Sequence, residues 1–157
     1  MIHSAQRILI VEDNNTDARL IRDLLERYGY ETLQTGDGFD AMKLALECRP
    51  DLILMDIQLP EISGLDVTRR LKGDGRSQNI PIIAVTALAI GWHEKEALDS
   101  GCDAYISKPF SISDFLYNVG SFLPRFPHWF TRFHRSGFKE SPLREKRRPS
   151  GGSAQSR

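Results

Sequence analysis

Cysteine is scarce in this 157-residue chain, and its two cysteines stand far apart. Cys48 and Cys102 belong to no CxxC motif and have no paired histidine beside them. This argues against a disulfide framework and a zinc site, so both are expected to be small core or near-core residues. The four histidines show no spacing suited to metal binding or catalysis and are each expected at the surface: His3, His93, His128 and His134.

Long apolar runs are also lacking, and no apolar signal core stands at the N-terminus. No run approaches the roughly 20 residues that a membrane-spanning helix needs. Together with the scarcity of cysteine, this predicts a soluble, cytoplasmic protein. The length suits one domain with a full core and is too short for two domains of ordinary size.

The net charge is zero, but the charges are unevenly distributed. Residues 124–157 carry nine Lys or Arg against two Glu, whereas residues 1–123 carry twelve basic against nineteen acidic residues. The acidic body argues against specific nucleic-acid binding, and the basic segment would attract DNA only weakly and in a salt-sensitive way. The contrast predicts a folded domain over residues 1–123 and a basic C-terminal tail over residues 124–157.

The tail is expected to be largely disordered, and from about residue 136 it cannot bury enough apolar surface to offset the ordering entropy. Its first part places four aromatic residues at positions i, i+3, i+4 and i+7, with basic residues between them: Phe126, Trp129, Phe130 and Phe133. Such a segment could make a weak contact with an anionic membrane or dock on a partner. Packing against its own domain, or plain disorder, stays open as an alternative.

Five apolar runs alternate with helical patterns along residues 1–123, as in βα units on a parallel sheet. The predicted strands are "RILIV" at 7–11, the weaker "ETLQT" at 31–35, "LILM" at 52–55, "IPIIAVTA" at 80–87 and "AYIS" at 104–107. Apolar residues occur at helical spacing between them, including Leu20 and Ile112. The first helix is predicted to begin at the residues with helix-cap chemistry, Asn14, Asn15 and Thr16, and to end at Gly29. The pattern predicts an α/β fold of the (βα)5 type, with a doubly wound, five-stranded parallel sheet.

Polar residues stand where these predicted strands end. Glu12 and Asp13 follow the first strand, and Asp56 follows the third. Thr86 lies at the end of the fourth strand, and Lys108 follows the fifth. Because the carboxyl ends of parallel strands meet at one edge of a sheet, these side chains are expected to converge there.

Three carboxylates brought within a few ångströms repel one another by roughly 4 kcal/mol per close pair at a partly exposed site. A hard divalent cation with oxygen ligands would compensate, and Mg²⁺ suits carboxylates together with waters and a phosphoryl group. The ammonium of Lys108 and the hydroxyl of Thr86 both suit phosphoryl oxygens. The set therefore indicates that Asp56 is a nucleophile toward phosphorus and forms an acyl phosphate.

Four segments resemble the receiver domain of two-component response regulators: "ILIVEDN", "DLILMDIQLPEISGLDV", "IPIIAVTA" and "DAYISKPF". They occur in the order and at the spacing of that family and cover about residues 6–123. The stretches "YETLQT" and "DLILMDIQLPEISGL" are especially similar to the DivK type of single-domain cell-cycle regulators. The resemblance implies a flavodoxin-like, CheY-like fold.

The resemblance also implies a phosphorylation-dependent switch in a phosphorelay rather than a conventional enzyme. Asp56 would accept a phosphoryl group from a phosphohistidine on a sensor histidine kinase or a histidine phosphotransferase. The protein would assist its own phosphotransfer and dephosphorylation, and Lys108 would contact the phosphoryl group through a segment with a cis bond to Pro109. Output would reach a downstream protein target through protein–protein contacts.

In the same way, the resemblance implies a Mg²⁺ site built on Asp13, Asp56 and the backbone carbonyl of Gln58, with Glu12 acting mainly through water. A separate pair of residues would carry the switch. Thr86 would move toward the new phosphoryl oxygens, and Tyr105 would turn inward behind it. The face made by the fourth helix, fifth strand and fifth helix would change as a result.

Other functions fit the sequence less well. A haloacid-dehalogenase-like phosphatase needs a second Asp two residues after the nucleophile, where Gln58 stands. A flavodoxin-like flavin binder needs a phosphate-cradling loop after the first strand, where Glu12 and Asp13 would repel phosphate. Neither GxGxxG nor GxxxxGK is present. The main alternative is a receiver-shaped interaction module that works without phosphorylation.

Overall fold

Strands and helices alternate five times in the computed structural model, which describes residues 5–87 and 91–123. The strands are β1 Arg7–Val11, β2 Glu31–Thr35, β3 Leu52–Met55, β4 Ile82–Thr86 and β5 Ala104–Ser107. The helices are α1 Asn15–Arg27, α2 Gly38–Cys48, α3 Gly64–Gly73, α4 Gly91–Asp99 and α5 Ile112–Ser121. The predicted (βα)5 order is confirmed.

All five strands are parallel and form one sheet in the order β2-β1-β3-β4-β5. The chain winds outward in both directions from β1 and β3, and a crevice opens at the carboxyl ends of strands at such a switch point. Val11 pairs with Met55 at the end of the β1–β3 ladder. Glu12 and Asp56 are the residues that come next, so the ladder itself brings them side by side.

Helices cover both faces of the sheet, which explains why the central strands are apolar without alternation. One core lies between the sheet and the helices α1 and α5, and it includes Leu54 and the fully buried Phe115. The other lies on the side of α2, α3 and α4, and it includes Ile53 and Met55. Successive β3 residues thus enter opposite cores, and every residue of this strand is buried.

A short polar side chain caps the first helix, α1, where the sequence predicted a cap. Asn14 Oδ1 accepts hydrogen bonds from the backbone N–H groups of Thr16 and Asp17, each at 3.0 Å. At the other end of α1, Gly29 has a φ of 90°, a left-handed conformation that glycine adopts without penalty. The predicted start and end of this helix are therefore confirmed.

Some residues lie elsewhere than their type or spacing indicates. Leu20 and Ile112 share the helical spacing of the core residues but are exposed. The prediction of a surface histidine is wrong for His93, which is buried. It stands four residues before the buried Ala97, so it occupies the inward side of a helix with few apolar residues.

Both cysteines are free, Cys102 buried and Cys48 half-buried. No helix in the described part of the chain is long and apolar enough to cross a membrane. The predictions for His3, His128, His134 and the tail at residues 124–157 lie outside the described residues.

Candidate functional site

Three acidic side chains meet at the carboxyl edge of the sheet. One carboxylate oxygen from each of Glu12, Asp13 and Asp56 lies within 4.8 Å of the others. Glu12 and Asp56 are buried, whereas Asp13 is exposed. The structure thus brings together the carboxylates that follow β1 and β3, at the edge where the sequence placed them.

Asp56 is held by the backbone on both sides. Its N–H donates a hydrogen bond to the carbonyl oxygen of Val11 at 2.9 Å, which extends the β1–β3 pairing by one residue. Its Oδ1 accepts a hydrogen bond from the backbone N–H of Gln58 at 3.1 Å. These contacts orient the carboxylate toward the other acids and place Gln58 on the loop beside it.

The loop after Asp56 is tight and leads directly into α3. The backbone N–H of Gly64 donates to the carbonyl oxygen of Ile57 at 2.9 Å, and the N–H of Ile62 donates to the carbonyl oxygen of Pro60 at 2.7 Å. A Cβ on Gly64 would overlap the backbone oxygen of Asp56. Glycine is therefore required where α3 begins, because only glycine allows this close backbone approach.

Glu12 is the most deeply buried member of the acidic group. Its Oε1 accepts a hydrogen bond from the backbone N–H of Asn14 at 3.1 Å, and its Oε2 accepts one from Lys108 Nζ at 2.6 Å. Burial raises the pKa of Glu12 to about 7, although the hydrogen bond from Lys108 opposes the shift and the charge of Asp56 adds to it. A buried carboxylate beside a like charge would be stabilised by a bound cation.

Lys108 enters the site from the end of β5. Its backbone N–H donates to the carbonyl oxygen of Thr86 at 2.8 Å, and its peptide bond to Pro109 is cis, as the family resemblance implies. Its ammonium nitrogen lies 4.0 Å from Asp56 Oδ2. Burial alone would lower the pKa of Lys108, but hydrogen bonds to Glu12 and Asp17 outweigh it and raise the pKa. Lys108 therefore remains positively charged at neutral pH.

Asp17 is a member of the site that sequence reasoning missed. Its Oδ2 accepts a hydrogen bond from Lys108 Nζ at 3.0 Å. The signal was its position in the first turn of α1, the helix that leaves the site just after Asp13.

Thr86 and Tyr105 lie on neighbouring strands. Thr86 ends β4 and is fully buried, and it pairs in register with Ser107 on β5. Tyr105 stands two residues before Ser107, so the two share a face of the strand. The Tyr105 ring is half-buried and packs against the core on the side of α2, α3 and α4. Burial raises the pKa of Tyr105, and the nearby charge of Glu94 adds to the shift.

A cleft of about 370 Å³ opens beside the site. Its walls combine the polar groups of Asp17 and Lys108 with apolar side chains that include Leu20 and Phe110. Lys108 is therefore accessible from the surface on the side of α1.

The donor set fits a hard divalent cation. Glu12, Asp13 and Asp56 offer only carboxylate oxygens, which Mg²⁺ prefers, and their mutual repulsion is relieved when a cation lies between them. Lys108 supplies a fixed positive charge beside this group. Such an arrangement can stabilise negative charge that develops on a group bonded to Asp56.

Comparison with known proteins identifies the family. The model for the response regulator receiver domain matches residues 8–119. The polar-differentiation response regulator DivK of Brucella anthropi is 53% identical over 116 residues, which make up 74% of this chain and 94% of that protein. The resemblance to DivK-type regulators is confirmed.

Solved structures agree. The receiver domain of the Pseudomonas aeruginosa sensor histidine kinase PA1611, which holds a magnesium ion in its active-site cleft, is 33% identical. The two structures superpose with a TM-score of 0.71 over 76% of this chain and 98% of that one. The Vibrio cholerae chemotaxis protein CheY4, at 22% identity, shows the same fold, with a TM-score of 0.72 over 76% of this chain and all of that one. The chain therefore belongs to the response regulator receiver domain family.

Proposed function

We propose that Asp56 accepts a phosphoryl group from a phosphohistidine on a sensor histidine kinase or a histidine phosphotransferase. The observation that carries this proposal is the convergence of Glu12, Asp13 and Asp56 with the ammonium of Lys108 at one edge of the sheet. A structural acid after a strand needs no such partners. A group that must receive a strongly anionic phosphoryl group does need them.

The transfer exchanges one bond to phosphorus for another. A carboxylate oxygen of Asp56 forms a bond to phosphorus, and the phosphorus–nitrogen bond of the phosphohistidine breaks. The electron pair of that bond stays on the imidazole nitrogen. A separate hydrolysis step resets the switch: water attacks phosphorus, the bond to the Asp56 oxygen breaks with its electron pair left on that oxygen, and inorganic phosphate leaves. The protein assists both steps by positioning charge.

Each neighbouring side chain has a role in this chemistry. Lys108 offers N–H donors to the phosphoryl oxygens, and the buried hydroxyl of Thr86 offers another. Asp13, Asp56 and the backbone carbonyl of Gln58 would hold Mg²⁺, with Glu12 acting mainly through water. When bound, this cation neutralises carboxylate and phosphoryl charge and so lowers the repulsion between them.

The output is proposed to be a change in a protein-binding surface. The fully buried Thr86 moves toward the phosphoryl group, and the half-buried ring of Tyr105 fills the space behind it. This changes the face formed by α4, β5 and α5, to which a downstream protein target would bind. No nucleic-acid partner is proposed, since residues 1–123 are acidic.

The setting proposed for this switch is a cytoplasmic phosphorelay. Residues 1–123 would act as the receiver, and residues 124–157 would be an appended basic tail that makes a weak membrane or partner contact. The name of the DivK relatives refers to polar differentiation, and a related cell-cycle task is proposed for this chain.

Labelling with a small acyl phosphate and Mg²⁺ tests the proposal. Intact-mass measurement is expected to show one added phosphoryl group on the wild type and none on Asp56→Asn. The variant should keep its circular dichroism spectrum, since an amide fills the same space as the carboxylate.

Asp66→Asn is the matched control, because it removes the same charge from an exposed position in the first turn of α3. It is expected to be labelled like the wild type. If Asp56→Asn is labelled as fully as Asp66→Asn, the phosphoacceptor proposal is wrong and the phosphorylation-independent interaction module takes its place.

A further inference from the structure

We propose that Asp17 is a positioning residue that holds the Lys108 ammonium away from Asp56 until a phosphoryl group arrives. The inference rests on the proposed function and adds a regulator of the same site. The Lys108 nitrogen lies 2.6 Å from Glu12 Oε2 and 3.0 Å from Asp17 Oδ2, but 4.0 Å from Asp56 Oδ2. In this state Lys108 is hydrogen-bonded to the two flanking acids and not to the proposed phosphoacceptor.

Asp17 is separate from the proposed metal site. The acidic group with closely spaced oxygens comprises Glu12, Asp13 and Asp56, and Asp17 lies outside it. Its carboxylate instead accepts a hydrogen bond from Lys108 and lies in the wall of the cleft beside α1. The contact of Asp17 with Lys108 therefore serves the position of the ammonium rather than the binding of a cation.

The three N–H donors of an ammonium set up a competition. Two of them serve Glu12 and Asp17, so only one is left for the oxygens of an incoming phosphoryl group unless the ammonium releases one of these acids. The side chain of Glu12 is 4% exposed, whereas that of Asp17 is 41% exposed. Water can replace Lys108 at the exposed carboxylate at little cost, so the contact with Asp17 is the one that yields. Asp17 thereby stabilises the unphosphorylated state and opposes phosphorylation.

A purely structural role makes a different prediction. Asp17 stands in the first turn of α1, where an acid interacts favourably with the helix N-terminus. If that were its whole role, replacing it would change stability and leave the rate of phosphorylation unchanged. The rate is therefore the readout that separates the two roles.

The first experiment measures the rate of labelling of the full chain by a small acyl phosphate with Mg²⁺. Asp17→Asn is expected to be labelled about two- to fivefold faster than the wild type, which is the range for loss of a partly exposed ion pair. Asp17→Glu keeps the charge and should restore a rate near that of the wild type. Asp23→Asn removes the same charge from an exposed position on the same helix and should leave the rate unchanged.

An Asp17→Asn rate that is equal to or below that of the wild type overturns the inference. Equality would leave only the helical role, and a lower rate would mean that Asp17 holds Lys108 in the productive position. If the wild type gains no label that depends on Asp56, the proposed function is wrong, and the inference about Asp17 is wrong with it.

A second measurement tests the holding contact without any phosphoryl transfer. The unfolding equilibrium constants of the wild type, Asp17→Asn, Lys108→Met and the double variant form a cycle. A coupling of about two- to fivefold in metal-free buffer is expected. Zero coupling overturns the inference even if labelling of Asp56 succeeds.

Discussion

Gly64 and Asp56 are in backbone contact so close that a Cβ on Gly64 would overlap the carbonyl oxygen of Asp56. The contact arises because the loop after β3 turns back at once and Gly64 donates its N–H to Ile57. The start of α3 therefore packs directly against the segment that contains the proposed phosphoacceptor. The position of Asp56 thus depends on the absence of a side chain eight residues later.

Gly64→Ala is accordingly expected to lower the free energy of unfolding by about 1–3 kcal/mol or more, because the atom that must move belongs to the backbone. Urea denaturation of the full chain measures this change. The same variant should be labelled more slowly by a small acyl phosphate, since the shift displaces Asp56.

Gly73→Ala is the matched control at the other end of α3. A Cβ there would meet nothing within 4 Å, so stability should stay unchanged or rise by up to about 1 kcal/mol. Equal stability of the two alanine variants would contradict the close packing of α3 on the Asp56 loop.

The contact between Lys72 and Asp103 supports the opposite edge of the sheet. Lys72 Nζ donates to the carboxylate of Asp103 at 3.0 Å and to the carbonyl oxygen of Ile80 at 2.7 Å. The side chains are 19% and 3% exposed, respectively. Lys72→Met removes the cation that faces the buried carboxylate of Asp103. It is expected to lower the free energy of unfolding, measured by urea denaturation, by on the order of 3 kcal/mol.

Arg76→Met provides the comparison, because the ion pair of Arg76 with Asp74 is much more exposed, with side chains 68% and 32% exposed. No measurable loss of stability is expected there. Similar losses in both variants would show that burial does not determine the strength of these ion pairs.

The sheet could be predicted from the sequence because its strands are buried on both faces. A short, continuous apolar run such as Leu52–Met55 is typical of a strand buried on both faces, and the polar residue that follows it then marks the end of the strand. Glu12, Asp56 and Lys108 could be placed at one edge by this reasoning alone, without knowledge of their side-chain contacts.

The positions of three other side chains could not be predicted, because they depend on tertiary packing and not on periodicity in the sequence. Leu20 has the spacing of a core residue, but it lies in the wall of the cleft beside Lys108. His93 is buried because its side of α4 faces the core. Asp17 resembles an ordinary first-turn acid until the position of Lys108, ninety-one residues away in sequence, is known.

Magnesium is expected to stabilise the wild type. A ligand that binds only the folded state adds about 1.4 kcal/mol for each tenfold excess over its dissociation constant. Asp13→Asn should reduce this gain, because Asp13 belongs to the acidic group. Without metal, Asp13→Asn should change the free energy of unfolding by no more than about 0.5 kcal/mol, since the Asp13 side chain is exposed.

Thermal unfolding with and without Mg²⁺ measures both effects. Asp66→Asn, an exposed acid on α3, should keep the full stabilisation by metal. If Asp13→Asn and Asp66→Asn respond equally to Mg²⁺, the acidic group is not the metal site.

Thr86→Ala is expected to separate phosphorylation from its output. Thr86 is fully buried at the end of β4, and the half-buried Tyr105 lies on the neighbouring strand. Loss of the hydroxyl and a methyl group should cost about 1 kcal/mol of stability and leave labelling of Asp56 in place. The NMR signals of the Tyr105 ring should then no longer shift on phosphorylation, because the variant has no hydroxyl to draw the end of β4 toward the phosphoryl group.

Thr32→Ala is the control, because Thr32 lies on the edge strand β2, and it should leave the shift intact. If the Tyr105 signals of Thr86→Ala shift as fully as those of the wild type, Thr86 does not transmit the signal.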